Sequence, residues 1–321
     1  MASKPDIDLR QWLNKARQHL NTGQFAQAQQ CCLTVLSYDP RHADAHFLLA
    51  MIAVGGGRFS EAITLLERAI VLDGYRPAYY AHLSRCLVTL NRHPEARKAA
   101  RRAVQLKPDD ALTLDTIGAV YSRTRDHDKA VDVFREAVAR DPKNSNFQFN
   151  LGASLRFIGD FDGAEVAFEA AAHSTPKFYK AHSALSHLKR QTPESNHTDR
   201  LEALINQVDG DLQSEIGLRS ALAKEYDDIG EYDHAFAHLA KAYAKLRPKL
   251  DYSTSHDDAL FEKIISTVNE EFISMASPVI PHVNRFLSWV CRGPERRWSN
   301  ESFPVITRSF QPVSYKTSAL R

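Results

Sequence analysis

Two pairs of histidines stand four residues apart, His42/His46 and His234/His238. On a helix that spacing puts both imidazoles on one face, where they chelate a metal if a third ligand lies near. His46 falls where the surrounding pattern places bulky core residues, so packing is the expected role of these rings and no metal site is assigned. The cysteines, Cys31, Cys32, Cys86 and Cys291, form no C-x-x-C pair, which argues against a zinc ribbon and a disulfide framework. There is no Gly-rich phosphate loop, nucleophile elbow or spaced carboxylate pair, so no catalytic or cofactor-binding residue is expected. What remains is a set of polar, cationic and aromatic residues on segments of helical period: Arg85, Asp115, Arg123, Phe149, Asn150, Arg156, Lys180 and Arg190, with Ala119 and Ala153 between them. Guanidiniums on successive segments can pair with carboxylates of an extended peptide. An Asn amide can hold a peptide backbone through its donor and its acceptor. The same residues also read as a solvated polar face.

The elements that would carry these residues recur at a fixed period. Short phrases ending in Ala begin at Gly23, Gly57, Asn91, Arg125 and Gly159, each 34 residues from the next, and a sixth, out of phase, begins at Gly230. Each phrase is flanked by helical patterns. Leu114, Ile117, Gly118 and Tyr121 share one face upstream of the fourth phrase, and Ala130, Phe134 and Ala137 share one face downstream. Pro40, Pro108, Pro142 and Pro176 stop the second helix of a pair, because proline cannot continue it.

This pattern resembles the tetratricopeptide repeat, a helix–turn–helix unit of 34 residues. The resemblance places Trp12 at the opening of a first helix and Gly118 and Gly152 where two helices cross closely. It places Ala28, Ala62, Ala96, Ala130 and Ala164 at the small contact of the second helix. Asn91 and Arg125 depart from the turn glycine, His93 and His127 from the aromatic, and Gly74 from the terminal proline. The expected fold is all-α, a right-handed α-solenoid with a poorly structured C-terminal tail, its first helices lining a concave groove. LRSALAKEYDDIGEYDHAFAHLAKAYAKLRP reads as a further pair that caps the array with a polar outer face. The expected partner is a protein or peptide in the groove. The paired Lys and Asn known for binding chaperone tails are absent. Lys and Arg number 41 against 39 Asp and Glu, a formal charge of +2 that argues against wholesale nucleic-acid binding. No stretch approaches the ~18 apolar residues of a membrane span, and the start shows no signal-peptide pattern, so a cytoplasmic location is expected. Oligomeric state is not set by any of these features.

The order of elements through residue 272 also resembles the front half of bacterial tetratricopeptide-repeat sulfotransferases. That resemblance implies a following domain that opens on a loop cradling the phosphosulfate of the donor PAPS. Here the text after Phe272 has no helical or strand period and no such loop. The expected organisation is a repeat array over 1–192 and a spacer helix with a capping pair over 193–250. An amphipathic helix over 251–272 and an irregular tail over 273–321 complete it. The expected function is protein–protein interaction by the remnant of such an enzyme, with no activity of its own. The alternative is a PAPS-dependent sulfotransferase whose catalytic domain is missing, and PAPS is a cofactor only for an intact parent. The tail carries a sign of a shifted frame. Read from the last base of the Trp289 codon, codons permitted from Trp289 to Ile306 can spell GMPRSGTTLVERILSSH, a phosphosulfate-type loop. Resequencing the coding DNA is expected to show that loop in the shifted frame, followed by a further open domain. Codons at Val290 to Arg297 that cannot spell it would remove the frameshift reading.

Overall fold

The structure is a computed structural model that describes residues 8–208, 210–250 and 253–268. The chain divides into two compact units, 1–249 and 250–321. Five antiparallel helix pairs open the first unit. They are α1 (Leu9–Asn21) with α2 (Phe25–Tyr38), α3 (Ala43–Gly55) with α4 (Phe59–Leu72), and α5 (Pro77–Thr89) with α6 (His93–Gln105). Next come α7 (Ala111–Arg123) with α8 (His127–Arg140), and α9 (Ser145–Ile158) with α10 (Phe161–Ser174). Then come the short α11 (Tyr179–Ser186) and α12 (Thr198–Ile205), and a last pair, α13 (Leu212–Asp228) and α14 (Tyr232–Leu246). Consecutive helices stack in order, as the 34-residue rhythm requires. No helix among the described residues is long and apolar enough to cross a membrane.

Within a pair, side-chain sizes are matched across the crossing. Ala28, Ala62, Ala96, Ala130 and Ala164 are all fully buried, so the second helix approaches its neighbours on a seam of methyl groups. At the tightest point a small residue on the first helix faces a larger one on the second. A Cβ on Gly118 would lie 2.7 Å from the Phe134 ring, and one on Gly152 would lie 2.8 Å from Phe168. Both rings are among the largest fully buried side chains. One and two repeats earlier than Gly118 and Phe134, the same positions hold Ser84 with Ala100 and Ala50 with Leu66, all buried. Ala50 with Leu66 trades volume across the crossing as the glycine pairs do, whereas Ser84 and Ala100 are both small.

The turns repeat as faithfully. Gly23, Gly57 and Gly159 take positive φ between the helices of a pair, and so do Asn91 (φ 59°) and Arg125 (φ 64°) where glycine is absent. The backbone therefore keeps the left-handed turn even where the residue disfavours it. At three of the loops between pairs, one side chain closes the loop. His46 Nε2 lies 3.1 Å from the Pro40 carbonyl, Gln148 Nε2 3.2 Å from Pro142, and His182 Nε2 2.9 Å from Pro176. These three residues occupy one repeat position, and since a carbonyl only accepts, the two imidazoles carry their proton on Nε2. His234 and His238 pack against Tyr226 at centroid distances of 5.1 and 5.7 Å. Among the described residues no three metal-ligating groups converge.

Two expectations need correction. The terminal pair does not present a polar outer face: Tyr232, Phe236 and Tyr243 of α14 are 67%, 74% and 59% exposed. They lie about a quarter turn from the buried Ala235 and Ala242, so exposed aromatic rings border the side that α14 buries. The helix expected over 251–272 begins three residues later, as α15 (Thr254–Thr267) of the second unit, and none of its residues is buried. The irregular tail and its shifted reading fall outside the described residues.

The glycine contacts separate two substitutions that look alike. Gly118→Ala must displace the buried Phe134 ring, and it is expected to lower stability by about 1–3 kcal/mol. In Gly55→Ala the added Cβ also comes within 2.7 Å of a ring, but that ring is Phe25, 40% exposed and free to swing away. The ~1 kcal/mol helix preference of Ala over Gly then offsets the contact, so its stability is expected to change by less than about 1 kcal/mol. Urea unfolding midpoints of the two variants check the difference.

Candidate functional site

The 34-residue rhythm breaks after α11. This helix has only eight residues, and in place of a paired second helix comes a spacer carrying α12. The next full helix, α13, packs against α11 and α12. A cavity of about 550 Å³ opens where α9, α11 and the first turn of α13 come together. Phe149 and Arg156 of α9 form one wall, Tyr179, Lys180 and Ser183 of α11 a second, and Asp211, Ser214 and Gly217 the third. Its chemistry is two aromatic rings beside two cations. Arg156 lies over Phe157, 5.6 Å from the ring centroid, and Lys180 is exposed. Asp211 caps α13 by accepting from the Gln213 amide at 3.1 Å and from the Ser214 hydroxyl. The Ser214 bond holds its carboxyl below the usual range.

The third wall is held by a buried carboxylate. Glu225 of α13 is fully buried and accepts three bonds. These come from Ser186 Oγ at 2.5 Å, the His197 amide at 2.6 Å and His197 Nδ1 at 2.9 Å. Burial works to raise its pKa, but the donors of His197 and Ser186 outweigh burial and hold the carboxyl below its ordinary value. Beside it, Lys224 Nζ reaches the carbonyls of Ser186 and Lys189 and the Asp228 carboxylate, each at 2.6 Å. Asp228 also accepts from the Gln191 amide at 2.8 Å. Arg200 of α12 binds Glu169 of α10 at 2.9 Å, which ties the spacer to the last regular pair. This clasp sets where α13, and hence the third wall, can stand.

Of the residues singled out in the sequence, Phe149, Arg156 and Lys180 line the cavity. Asp115 and Asn150 meet in a bond from Asn150 Nδ2 to Asp115 Oδ1 at 2.8 Å, which links α7 to α9. Tyr79 and Asp44 form the same kind of rung at 2.5 Å, also 35 residues apart. Asn150 is thus engaged between repeats, and burial pushes the Asp115 carboxyl up even against that bond. Arg85 on α5 is half-buried and Arg123 on α7 exposed. With burial foremost, Arg85 helps push the neighbouring His82 imidazole down to about 4. Arg190 does not extend the series on a helix, since α11 ends at Ser186; it reaches the Asp228 carbonyl at 3.5 Å. Among the described residues Arg85, Arg123, Arg156 and Lys180 have no carboxylate within ion-pair distance.

Sequence reading missed Tyr179, Ser183, Asp211, Ser214 and Gly217, which come together only once the spacer folds. Glu225 did leave a signal. Leu218, Ala221, Leu222 and Glu225 share one helical stripe, so a carboxylate falls where the pattern calls for an apolar residue.

Comparison with known proteins gives the repeats a name. The family described as the tetratricopeptide repeat matches residues 13–77 and 49–111. The family described as the N-terminal repeat region of Psidin matches residues 81–170. The chain is 22% identical to the TPR repeat-containing protein YpiA of Bacillus subtilis over 133 residues, 41% of this chain and 31% of that protein. It is 30% identical to the Hsp70-Hsp90 organizing protein of Triticum aestivum over 99 residues, 31% of this chain and 17% of that protein. The aligned segments thus span less than a third of either relative. The solved structure of pilF from Pseudomonas aeruginosa is similar in fold, with TM-score 0.51 at 16% identity, covering 71% of this chain and 96% of that one.

Glu225→Gln removes one acceptor oxygen and sets an amide N–H against buried donors. It is expected to cost about 2–4 kcal/mol, because donors left unsatisfied in the interior carry their full desolvation penalty. The sign with pH follows from the lowered folded value. The clasp contributes fully above the unfolded Glu value of about 4.3 and is lost as pH falls through the lower folded one. Chemical denaturation at a series of pH values is expected to show the gap between wild type and variant narrowing below pH ~4.

Proposed function

We propose that this chain, a tetratricopeptide-repeat protein, is a non-catalytic interaction module that holds an extended peptide along its first helices. The peptide would anchor one apolar side chain in the cavity between α9, α11 and α13. One observation carries the reading: the aromatic rings of Phe149 and Tyr179 stand beside Arg156 and Lys180, two cations without carboxylate partners among the described residues. An apolar side chain fills such a cavity, and a flanking carboxylate satisfies the cations with charge-assisted bonds. Arg123 and Arg85 would continue the cationic track toward α7 and α5. The relative named for organising Hsp70 and Hsp90 supports protein binding by repeats of this kind. The ligand here differs in kind, since the paired Lys and Asn of chaperone-tail binding are absent and an aromatic cavity takes their place.

Selection of a random peptide library against the intact chain is expected to enrich a Leu, Phe or Trp next to Asp or Glu. Phe149→Ala and Arg156→Glu should each weaken the selected peptide about tenfold, roughly 1.4 kcal/mol, as truncated interface anchors do. Selected peptides indifferent to both substitutions would reject the cavity as the site.

A further inference from the structure

The helix α6 spends its buried side on four alanines, Ala96, Ala99, Ala100 and Ala103. Arg97, Lys98, Arg101 and Arg102 all lie exposed. The helix has one carboxylate, Glu95, and Arg92 takes it in a two-pronged bond at 2.8 and 2.6 Å. Among the described residues none of the four exposed cations has a carboxylate within ion-pair distance. Arg97 and Arg101, and Lys98 and Arg102, stand four residues apart, where like charges repel and weaken a helix. Neighbouring second helices mix their charges: α4 carries Glu61, Glu67 and Arg68, and α8 carries Asp128, Lys129, Asp132, Arg135, Glu136 and Arg140.

A groove runs beside this face. A cavity of about 520 Å³ lies between α4 and α6, with Leu83, Leu87 and Ala99 among its apolar lining and Lys98, Arg101 and Arg102 along its α6 side. Its depth has a source in the sequence. Ala99 stands one repeat after Leu65 of α4 and one repeat before Val133 of α8, so the smallest of the three side chains falls where the groove opens. Its cations belong to the second helix α6 and Leu83 and Leu87 to the first helix α5, whereas the cavity described above is lined by α9, α11 and α13.

We propose that this groove is a second docking surface and that it takes an acidic amphipathic protein segment. One leucine-sized side chain would rest against Leu83, Leu87 and Ala99, with carboxylates on the cations of α6. Charge complementarity selects the acidic segment, and the apolar lining selects a protein over a nucleic acid. A phosphate backbone would use the cations and leave the apolar lining empty. The inference is independent of the peptide anchored at Phe149.

Fluorescence anisotropy with the intact chain tests it. The probes are a fluorescein-labelled peptide of alternating Glu-Glu-Leu triplets, the same peptide with Ser in place of Leu, and a labelled oligo-dT of similar charge. The Leu peptide is expected to bind at least tenfold more tightly than the Ser peptide. The exposed double substitution Arg101→Glu/Arg102→Glu should abolish that binding with an unchanged melting temperature. Ala99→Leu, which restores the residue of α4, should remove the preference for Leu over Ser and keep the residual binding common to both. These titrations are made in the Arg156→Glu background, so that the cavity at Phe149, which also takes leucine beside glutamate, does not contribute to the signal. Equal affinity for the Leu and Ser peptides, preference for oligo-dT, or no binding at millimolar peptide would each overturn the proposal.

Discussion

Two helices pack closely only where one of them gives up side-chain volume to the other. In this chain that exchange occurs at the crossings where Gly118 faces Phe134 and Gly152 faces Phe168. The seam of fully buried alanines from Ala28 to Ala164 does the same for the second helices. Every other regularity follows from it. Constant spacing between crossings makes the pairs stack, stacking aligns the first helices, and the turns must then keep one backbone conformation even at Asn91 and Arg125. The rungs Asp44 to Tyr79 and Asp115 to Asn150 are possible because the same residue position recurs at a fixed offset.

The proposed site lies where the regularity stops. A solenoid of even repeats has shallow, similar grooves between successive first helices. The eight-residue α11 and the spacer behind it bring in α13 in place of the expected second helix. The gap that results would close or wander without a fixed wall, and the buried Glu225 supplies that wall by joining α13 to Ser186 and His197. A fully buried carboxylate is costly unless every lone pair is engaged. Here the three donors are supplied by two segments that the repeat pattern does not order by itself. Stability and site geometry therefore rest on the same group. The groove beside α6 shows a different way to break the rhythm, by size and charge at fixed register: one small residue, Ala99, and a helix face with cations unbalanced by acids.

Much of this was legible in the sequence because it is periodic. The 34-residue spacing marks the first five helix pairs, and apolar stripes mark the sides they bury. The positions of Phe149, Arg156 and Lys180 follow from that register. What was not legible depends on contacts between segments of unlike pattern. Nothing in the spacing brings Asp211 and Ser214 to Tyr179, and nothing in it ends α11 at Ser186 so that Arg190 leaves the helix. Asn150 illustrates the limit from another side. Its type suits a backbone clamp, but its partner at 35 residues is a half-buried Asp115 that needs a donor. The likeness of residues 1–272 to repeat-bearing sulfotransferases rests on the sequence alone.

The central claim is that the break in rhythm creates the binding site. It is tested most directly by an NMR titration of the isotope-labelled chain with a peptide bearing leucine beside two aspartates. The account predicts that the largest amide shifts fall on Ser183, Ala184, Ser214 and Gly217, with α1 to α4 unmoved. Shifts of equal size along all the first helices, or absent around the cavity, would contradict it.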